Sequence, residues 1–512
     1  MTTRRPGLPR APVMIAALGA FALSVLLLPN TPGIGDSAEF TLALALAGVP
    51  HPTGYPLYVL FGHAFVLAFH ALGCSWVSAA NLWSAAGAAV AAGAWMRLVQ
   101  HIDAAGKGVG ATASPLQGRS VRTLAVGLPV ALLVLHPLWL DSATVAEVYS
   151  WNHAWLAVAA SFAFGRLRAL DAESVPEHGG DGVAAFRWGI LCGAGVSHHL
   201  LSLLFAVPLS AALLLANLRA GRWRASHLAW GLMGGVLPLA GWAWIAWRAA
   251  HPAAAQWPLE PDPASVGRHL LGTAYAGYLG RFAPRGSEWD LIRAALLPWL
   301  LPGFAGGACW ALRFPRAATR LGLLALWAGA ALLIAFIVSY GVPDPAMYFV
   351  PALMVALLFA APATHWVARR LSPLVAVALG AALLIGLASG SVPRALGRRT
   401  QLAAVDARIR AAWQAVPFDR GIVLWGDDHL HRLKVFQLLE GSRTELYVES
   451  PDALSWPLPR AAFERRFGFD PLAGRVPRTA ADIARVPGII RASAVVPVVE
   501  FPALLERVPR AR

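Results

Sequence analysis

Long apolar runs separated by short polar ones set the plan of the chain. Runs near the roughly 20 residues that cross a bilayer occupy 11–29, 77–99, 122–140, 151–169, 229–248, 291–312, 321–340, 347–364 and 373–391. The continuous apolar stretch 186–217 is long enough for two short helices that meet near Ser197, His198 and His199. Eleven spans result if the apolar segment 57–73 lies along the interface or dips in and out instead of crossing. From about residue 392 the pattern changes. GIVLWGDDH reads as a short buried strand ending in a turn, LHRLKVFQLLEG as an amphipathic helix and TELYVES as a second strand. The expected architecture is mainly α: a polytopic transmembrane bundle over 1–391, then a small soluble α/β domain over 392–512.

Composition agrees with a membrane protein. Hydrophobic residues make up 57% of 512 positions and charged residues 13%, and the mean hydropathy is +0.56. The formal charge of +15 does not point to nucleic acid, because the basic residues are almost all Arg, with Lys only at 107 and 434. Their placement is the informative part, since short cytoplasmic loops collect Arg and Lys. The clusters are Arg4/Arg5/Arg10, Arg97/Lys107/Arg119/Arg122, Arg166/Arg168, Arg219/Arg222/Arg224, Arg313/Arg316/Arg320 and Arg369/Arg370. All six fall on one side only if 57–73 does not cross. The N-terminus is then cytoplasmic, the first apolar run is a retained helix without a cleavage site, and the C-terminal domain lies outside. Cys74, Cys192 and Cys309 all sit in apolar segments, so neither a disulfide framework nor a cysteine metal site is indicated.

Ionisable groups gather on the outer side of this topology. In GDSAEFTLALALAGVPHPTGYPLY (35–58), Asp36 and Glu39 are three apart, which puts both on one face of a helix. Asp36 is also well placed to cap that helix, a purely structural role. His51 follows in a rigid, turn-rich segment. Glu147, Tyr149 and Asn152 open the fourth span, and His198 and His199 interrupt an apolar run; ionisable groups at membrane depth are costly and point to function. Arg248 ends a span on the outer side, where an Arg suits either a phosphate ligand or the lipid headgroups.

Taken in order, GDSAEF, GVPHPTGYPLY, AEVYSWN, GVSHHL, YGVPDPAMYFVP, WGDD and LLEGSRTELYVES resemble a family long catalogued as a domain of unknown function. That family includes a transmembrane protein O-mannosyltransferase and is placed with the GT-C glycosyltransferases. The resemblance implies a helical membrane bundle with its active site at the outer face and a polyprenyl-phosphate-linked sugar as donor. By position it makes Asp36 the acidic residue of the first outer loop, with Glu39 as the alternative. His51, Tyr55, Glu147, Tyr149, His198, His199, Arg248, Asp344 and Tyr348 are then candidates for substrate binding. Thr53 stands where the family usually has Pro and Ala38 where it often has Gly; neither change removes a reactive group.

The implied reaction is hexosyl transfer to a protein or envelope-glycan hydroxyl, with inversion, in a bacterial inner membrane. The chain's partners would be that lipid-linked sugar, the acceptor and membrane lipid, with no nucleic acid. A divalent metal is compatible with the carboxylates but not indicated. The competing reading is a multi-pass transporter or lipid flippase with an outer binding domain. Against it, transporters tend to pair symmetric halves with midplane charges, whereas here the polar groups collect at one face. The topology predicts that a reporter fused after residue 110 is cytoplasmic and one fused at 400 is outside. A cytoplasmic reporter at 400 contradicts the outward placement of every candidate.

Overall fold

The computed structural model describes residues 8–106, 115–172, 181–281, 287–342, 345–426, 428–476 and 479–501. The chain begins with α1 (Ala11–Leu27), α2 (Ser37–Leu46), α3 (Pro56–Ala71) and the 31-residue α4 (Trp76–Gly106). Next, α5 (Pro115–Leu135) and α6 (Pro137–Ala143) meet at a 65° bend. The bend falls at His136, which is extended as a residue before proline must be, and whose side chain accepts the Leu138 N–H to start α6. Then come α7 (Tyr149–Asp171), α8 (Asp181–His198), α9 (Leu203–Arg219), α10 (Ala225–Val236), α11 (Ala240–Ala250), α12 (Pro263–Leu270), α13 (Ser287–Ala295), α14 (Leu297–Leu312), α15 (Ala317–Ser339), α16 (Val350–Leu357) and α17 (Ala360–Arg370). The 42-residue α18 (Pro373–Gln414) closes the bundle.

Each run expected to span lies on helix. The stretch 186–217 does break at His198/His199, where His199 turns extended and its Nδ1 accepts the Leu201 N–H. Among the described residues six helices are long and apolar enough to cross a membrane: Trp76–Gly106, Leu200–Arg219, Ala225–Ala250, Ala317–Ser339, Pro345–Arg370 and Pro373–Gln414. The bent pair makes a seventh. The others fall short for local reasons: α1 has 17 residues, α14 has 16 with Pro302 inside, and α7 carries Asn152, His153, Arg166 and Arg168. The chain is a multi-pass membrane protein.

Close packing holds the bundle together. α1 and α7 lie on α4, α15 lies on α9, and the core buries Trp95, Trp139, Phe164, Leu326 and Met354. Between α8 and α10 the backbones approach through Gly189 and Gly193 against Gly231 and Gly235. A Cβ at Gly189 would stand 1.9 Å from the Gly231 carbonyl oxygen, so this small-residue seam admits nothing larger.

The described basic side chains Arg97, Arg122, Arg166 and Arg222 share one end of the bundle. Arg97 donates to Leu8 O, Arg122 pairs with Asp103, Arg166 and Arg222 both pair with Asp181, and Asp171 caps the start of α15. His101, one turn beyond Arg97, faces Gly165, which joins these groups across α4 and α7. Asp36, His51 and Glu147 occupy the other end.

The last span does not stop at 391; α18 runs on to Gln414 before the chain changes character. Beyond it β1 (Gly421–Leu424), α19 (Leu430–Leu438), β2 (Leu446–Glu449), α20 (Pro457–Phe467), α21 (Ala480–Ile483), α22 (Val486–Ser493) and β3 (Val498–Glu500) form a parallel sheet of order β2-β1-β3. Gly421 pairs with Leu446, and Ile422 pairs with Val498 on the other side. The central strand GIVL is buried throughout, as a parallel strand covered on both faces requires. Ile422 and Leu424 pack with Phe463 and Ile490. Val423 joins Leu433 and Phe436 in a core that also takes in Ile409 and Trp413 of α18 and Ala38 and Leu42 of α2.

Candidate active site

The site is built on α2, and α2 is unusual in being buried all round. Every residue from Ser37 to Ala45 is buried, which fits a sequence apolar on all faces apart from Glu39 and the small hydroxyl residues Ser37 and Thr41, both hydrogen-bonded locally. α3 and α4 cover it from the bundle, and α19 covers it from the C-terminal unit. Asp36 occupies the N-cap position but makes no side-chain capping bond. Its carboxylate, with 45% of the side-chain surface exposed, is therefore left free for other chemistry, and the capping role open in the sequence is not used.

Glu39 is turned inward, with 6% of its side-chain surface exposed. It accepts two hydrogen bonds from one residue: His51 N–H to Oε1 at 2.8 Å, and His51 Nδ1 to Oε2 at 2.6 Å. The turn His51–Tyr55 makes this double contact by means of Gly54 (φ +81°), where a Cβ would meet Ile245 at 2.7 Å and His269 at 3.0 Å. The outer nitrogen of His51, Nε2, faces Asp36 Oδ2 at 3.7 Å and the Tyr55 hydroxyl at 3.3 Å.

The electrostatics follow from this geometry. Burial alone would depress His51, but the Glu39 and Asp36 carboxylates raise its pKa to about 10. Burial likewise opposes ionisation of Glu39, yet His51 lowers it to about 2. Asp36 is raised, by burial and by Glu39 and Asp428, against the pull of His51 and His431. Glu147, in the turn before α7, is held well above the usual carboxylate range, first by burial and then by Asp36.

Other candidates converge on this cluster. Tyr55 sits against His199 with ring centroids 5.7 Å apart, and Tyr149 lies edge-on to Tyr348 at 5.4 Å. His198 Nε2 bonds the Val148 carbonyl at 3.2 Å, fixing the turn that carries Glu147. Arg248 is not brought in. Its guanidinium reaches the His251 and Leu46 carbonyls, each at 3.4 Å, and stacks on Trp247. Leu46 ends α2, about 15 Å of helix from Asp36; α11 meets the start of α3 through Gly241 and packs Ile245 and Ala249 on Val49, which carries Arg248 to that end of α2. Asp344 lies outside the described residues.

Several residues that shape the site carry no signal in the local sequence pattern. Asn81 of α4 accepts Ala146 N–H and donates to the Pro29 and Thr31 carbonyls, tying together the two turns that hold Asp36 and Glu147. Arg394 and Arg398 of α18 pair with Asp141 beside that turn. Tyr275 flanks His51 at 6.1 Å. From the C-terminal unit, Asp428 and His431 bring charge to Asp36. Arg432, with a fully buried side chain, bonds Asp406 and the carbonyls of Pro32 and Gly33 just before Asp36. The run of ionisable residues after WGDD was the available clue, but their reach over some 400 positions was not.

The ligand atoms of Asp36, Glu39 and His51 all lie within 4.8 Å of one another, a spacing that can hold a metal ion. Glu39 already occupies His51 Nδ1, the arrangement that orients a metal-binding imidazole, so His51 Nε2 and Asp36 are the open donors.

Comparison with known proteins follows the same lines. Residues 36–222 match the sequence profile described as the protein O-mannosyl-transferase TMEM260 N-terminal domain. No curated protein matches the chain. Among solved structures, ArnT from Cupriavidus metallidurans bound to undecaprenyl phosphate superposes with a TM-score of 0.50 and 14% identity, over 86% of this chain and 90% of that one. ArnT in the apo state gives 0.45 and 13% over 86% and 90%. The Archaeoglobus fulgidus oligosaccharyltransferase complexed with zinc and sulfate gives 0.45 and 14% over 85% and 62%. The chain has an ArnT-like fold, and its similarity to the protein O-mannosyl-transferase TMEM260 N-terminal domain holds over the matched stretch, which begins at Asp36.

The ion pair has a pH signature. His51 is raised from 6.5 to about 10, so its stabilisation is complete below pH 6.5 and is lost as pH rises through about 10. Glu39 is lowered from 4.5 to about 2, so its share is complete above pH 4.5 and is lost as pH falls through about 2. The Tm difference between wild type and His51→Gln should therefore be largest between these limits, at pH 4.5 to 6.5, and shrink as pH approaches 10. A difference that disappears already near neutral pH contradicts a charged His51.

Proposed function

We propose that the chain is a membrane glycosyltransferase that moves a sugar from a polyprenyl phosphate to an acceptor hydroxyl on a protein or an envelope glycan. The observation that carries this reading is the carboxylate of Asp36: uncapped, half exposed, and 3.7 Å from the imidazole of a buried histidine–glutamate pair. The sequence match to the TMEM260 N-terminal domain over residues 36–222 supports the chemistry, and the ArnT-like fold supports the setting. Undecaprenyl phosphate, the lipid held by ArnT in that structure, is the type of carrier the reading requires.

In this mechanism Asp36 accepts the proton of the acceptor hydroxyl as its oxygen attacks the anomeric carbon. The carbon–oxygen bond to phosphate breaks, and the phosphate leaves with the electron pair. One displacement inverts the anomeric centre. A raised carboxylate pKa suits a base that must be ionised yet able to hold a proton at working pH. His51, charged and held by Glu39 through Nδ1, presents Nε2 towards the departing phosphate and supplies the positive charge that stabilises it. A divalent cation held by Asp36 and His51 Nε2 would supply the same charge. Glu39 touches neither reactant; it positions His51. Arg248, which the sequence suggested as the phosphate grip, is too far along α2 for that task.

The reaction belongs at the outer face. The basic clusters collect at the opposite end of the bundle, and short loops rich in Arg and Lys remain in the cytoplasm. In this reading the site and the C-terminal unit face the periplasm from a bacterial inner membrane, an orientation the one-sided basic side chains support.

Asp36→Asn removes the proton acceptor while keeping its size. Because the native side chain makes no capping bond, folding should be little affected. Turnover with a purified lipid-linked sugar should fall by at least the roughly 100-fold that a placed base contributes. Near-normal transfer by a correctly inserted, monodisperse Asp36→Asn protein contradicts the assignment.

A further inference from the structure

Beside the reactive cluster lies a cavity that the proposed chemistry does not use. Tyr149, Asn152, His153, His199, Ser202 and Tyr348 line it, with apolar side chains closing its inner wall. Its enclosed volume is about 10 Å³, room for one water-sized polar group.

Its polar walls are unsatisfied. His153 is 1% exposed and Ser202 1%, yet neither ring nitrogen of His153 nor the Ser202 hydroxyl has a hydrogen-bond partner. Asn152, 8% exposed, leaves its side-chain oxygen equally unpaired. Orphaned polar atoms at this depth are costly and rare in a folded protein. Here they come from α7 and the turn between α8 and α9, and they meet in one small space. Packing does not require this: Trp139 stacks on the flat face of His153 at 5.5 Å, a contact that any aromatic side chain in place of the histidine would keep.

The position of the cavity ties it to the reaction. His199, one of its walls, packs against Tyr55, whose hydroxyl meets His51 Nε2. Tyr149 and Tyr348, at its mouth, pack against one another directly after the Glu147 turn. The cavity therefore lies one side chain away from the atoms proposed to act on the anomeric carbon. It presents hydrogen-bond donors and acceptors, and among the described residues no carboxylate, Lys or Arg lines it. Such a lining fits a neutral hydroxyl and repels neither partner of it, whereas a phosphate would lack a counter-charge there.

We infer that this cavity receives a single hydroxyl of the donor sugar and reads it through Asn152, His153 and Ser202. The inference rests on the glycosyl-transfer reading and deepens it: the donor is a hexose chosen by the hydroxyl at one ring position. A site built to hydrogen-bond a hydroxyl penalises the analogue that lacks it, because its own buried groups are then left unpaired.

The test is a binding titration of the full-length chain in lipid nanodiscs. Its ligands are polyprenyl phosphates carrying mannose, glucose or galactose, their single-deoxy analogues, and bare polyprenyl phosphate. Loss of one hydroxyl should weaken binding to the wild type about tenfold, and in Ser202→Ala and His153→Phe that penalty should shrink to about twofold or less. Both variants should bind bare polyprenyl phosphate as the wild type does, which also shows that they are folded. The inference is overturned if the penalty is the same in the variants, or if no single hydroxyl matters to the wild type; the cavity then holds only water. If the wild type binds none of these lipids, the glycosyl-transfer reading itself falls.

Discussion

The structure turns on one buried pair. Glu39 sits in a helix with no exposed face and is ionised there, which is tolerable only because both its oxygens are hydrogen-bonded and a cation lies against it. His51 meets all of that requirement by offering its backbone N–H and its ring together. To do so, the chain must turn back sharply after α2, and the positive φ of Gly54 and the tight approach of α11 and His269 serve that turn. Once the pair is formed, the second imidazole nitrogen has one direction open to it, towards Asp36 and Tyr55. Removing either partner leaves a buried charge alone, a defect worth about 3–5 kcal/mol in comparable pairs.

The C-terminal unit follows from the same constraint. α2 could not be buried all round without it, since Ala38 and Leu42 share a core with Ile409, Trp413, Leu433 and Phe436. Arg432 completes the enclosure by crossing from α19 to the carbonyls of Pro32 and Gly33, four and three residues before Asp36. The unit is thus a wall of the site, and its Asp428 and His431 set part of the charge that Asp36 experiences.

Much of this was legible in the sequence, for physical reasons. Apolar runs gave the helices, and the His198/His199 interruption marked a real break, because polar residues at membrane depth must find partners and the backbone bends to supply them. The spacing of Asp36 and Glu39 was visible, but not their division of labour; that depends on which carboxylate faces inward, which only the packing of α2 decides. Arg248 looked like a phosphate ligand because its end of a span was correct, while its distance along α2 was hidden. Asn81, Arg394, Arg398 and Arg432 were unreadable, since each acts on a segment far away in the chain and none stands in a motif. Strict length and hydropathy pick out fewer full-length spans among the described residues than the eleven expected, as short or proline-broken helices read like full ones in a hydrophobic window.

If Glu39 acts only through His51, the two are one functional unit, and turnover of a purified lipid-linked sugar by Glu39→Gln, His51→Gln and the double variant measures this directly. The account predicts that each single change lowers turnover substantially and that the double variant is no worse than the poorer single one, as for groups that work together. Losses that multiply in the double variant would show that Glu39 and His51 act independently, and would contradict the account at its centre.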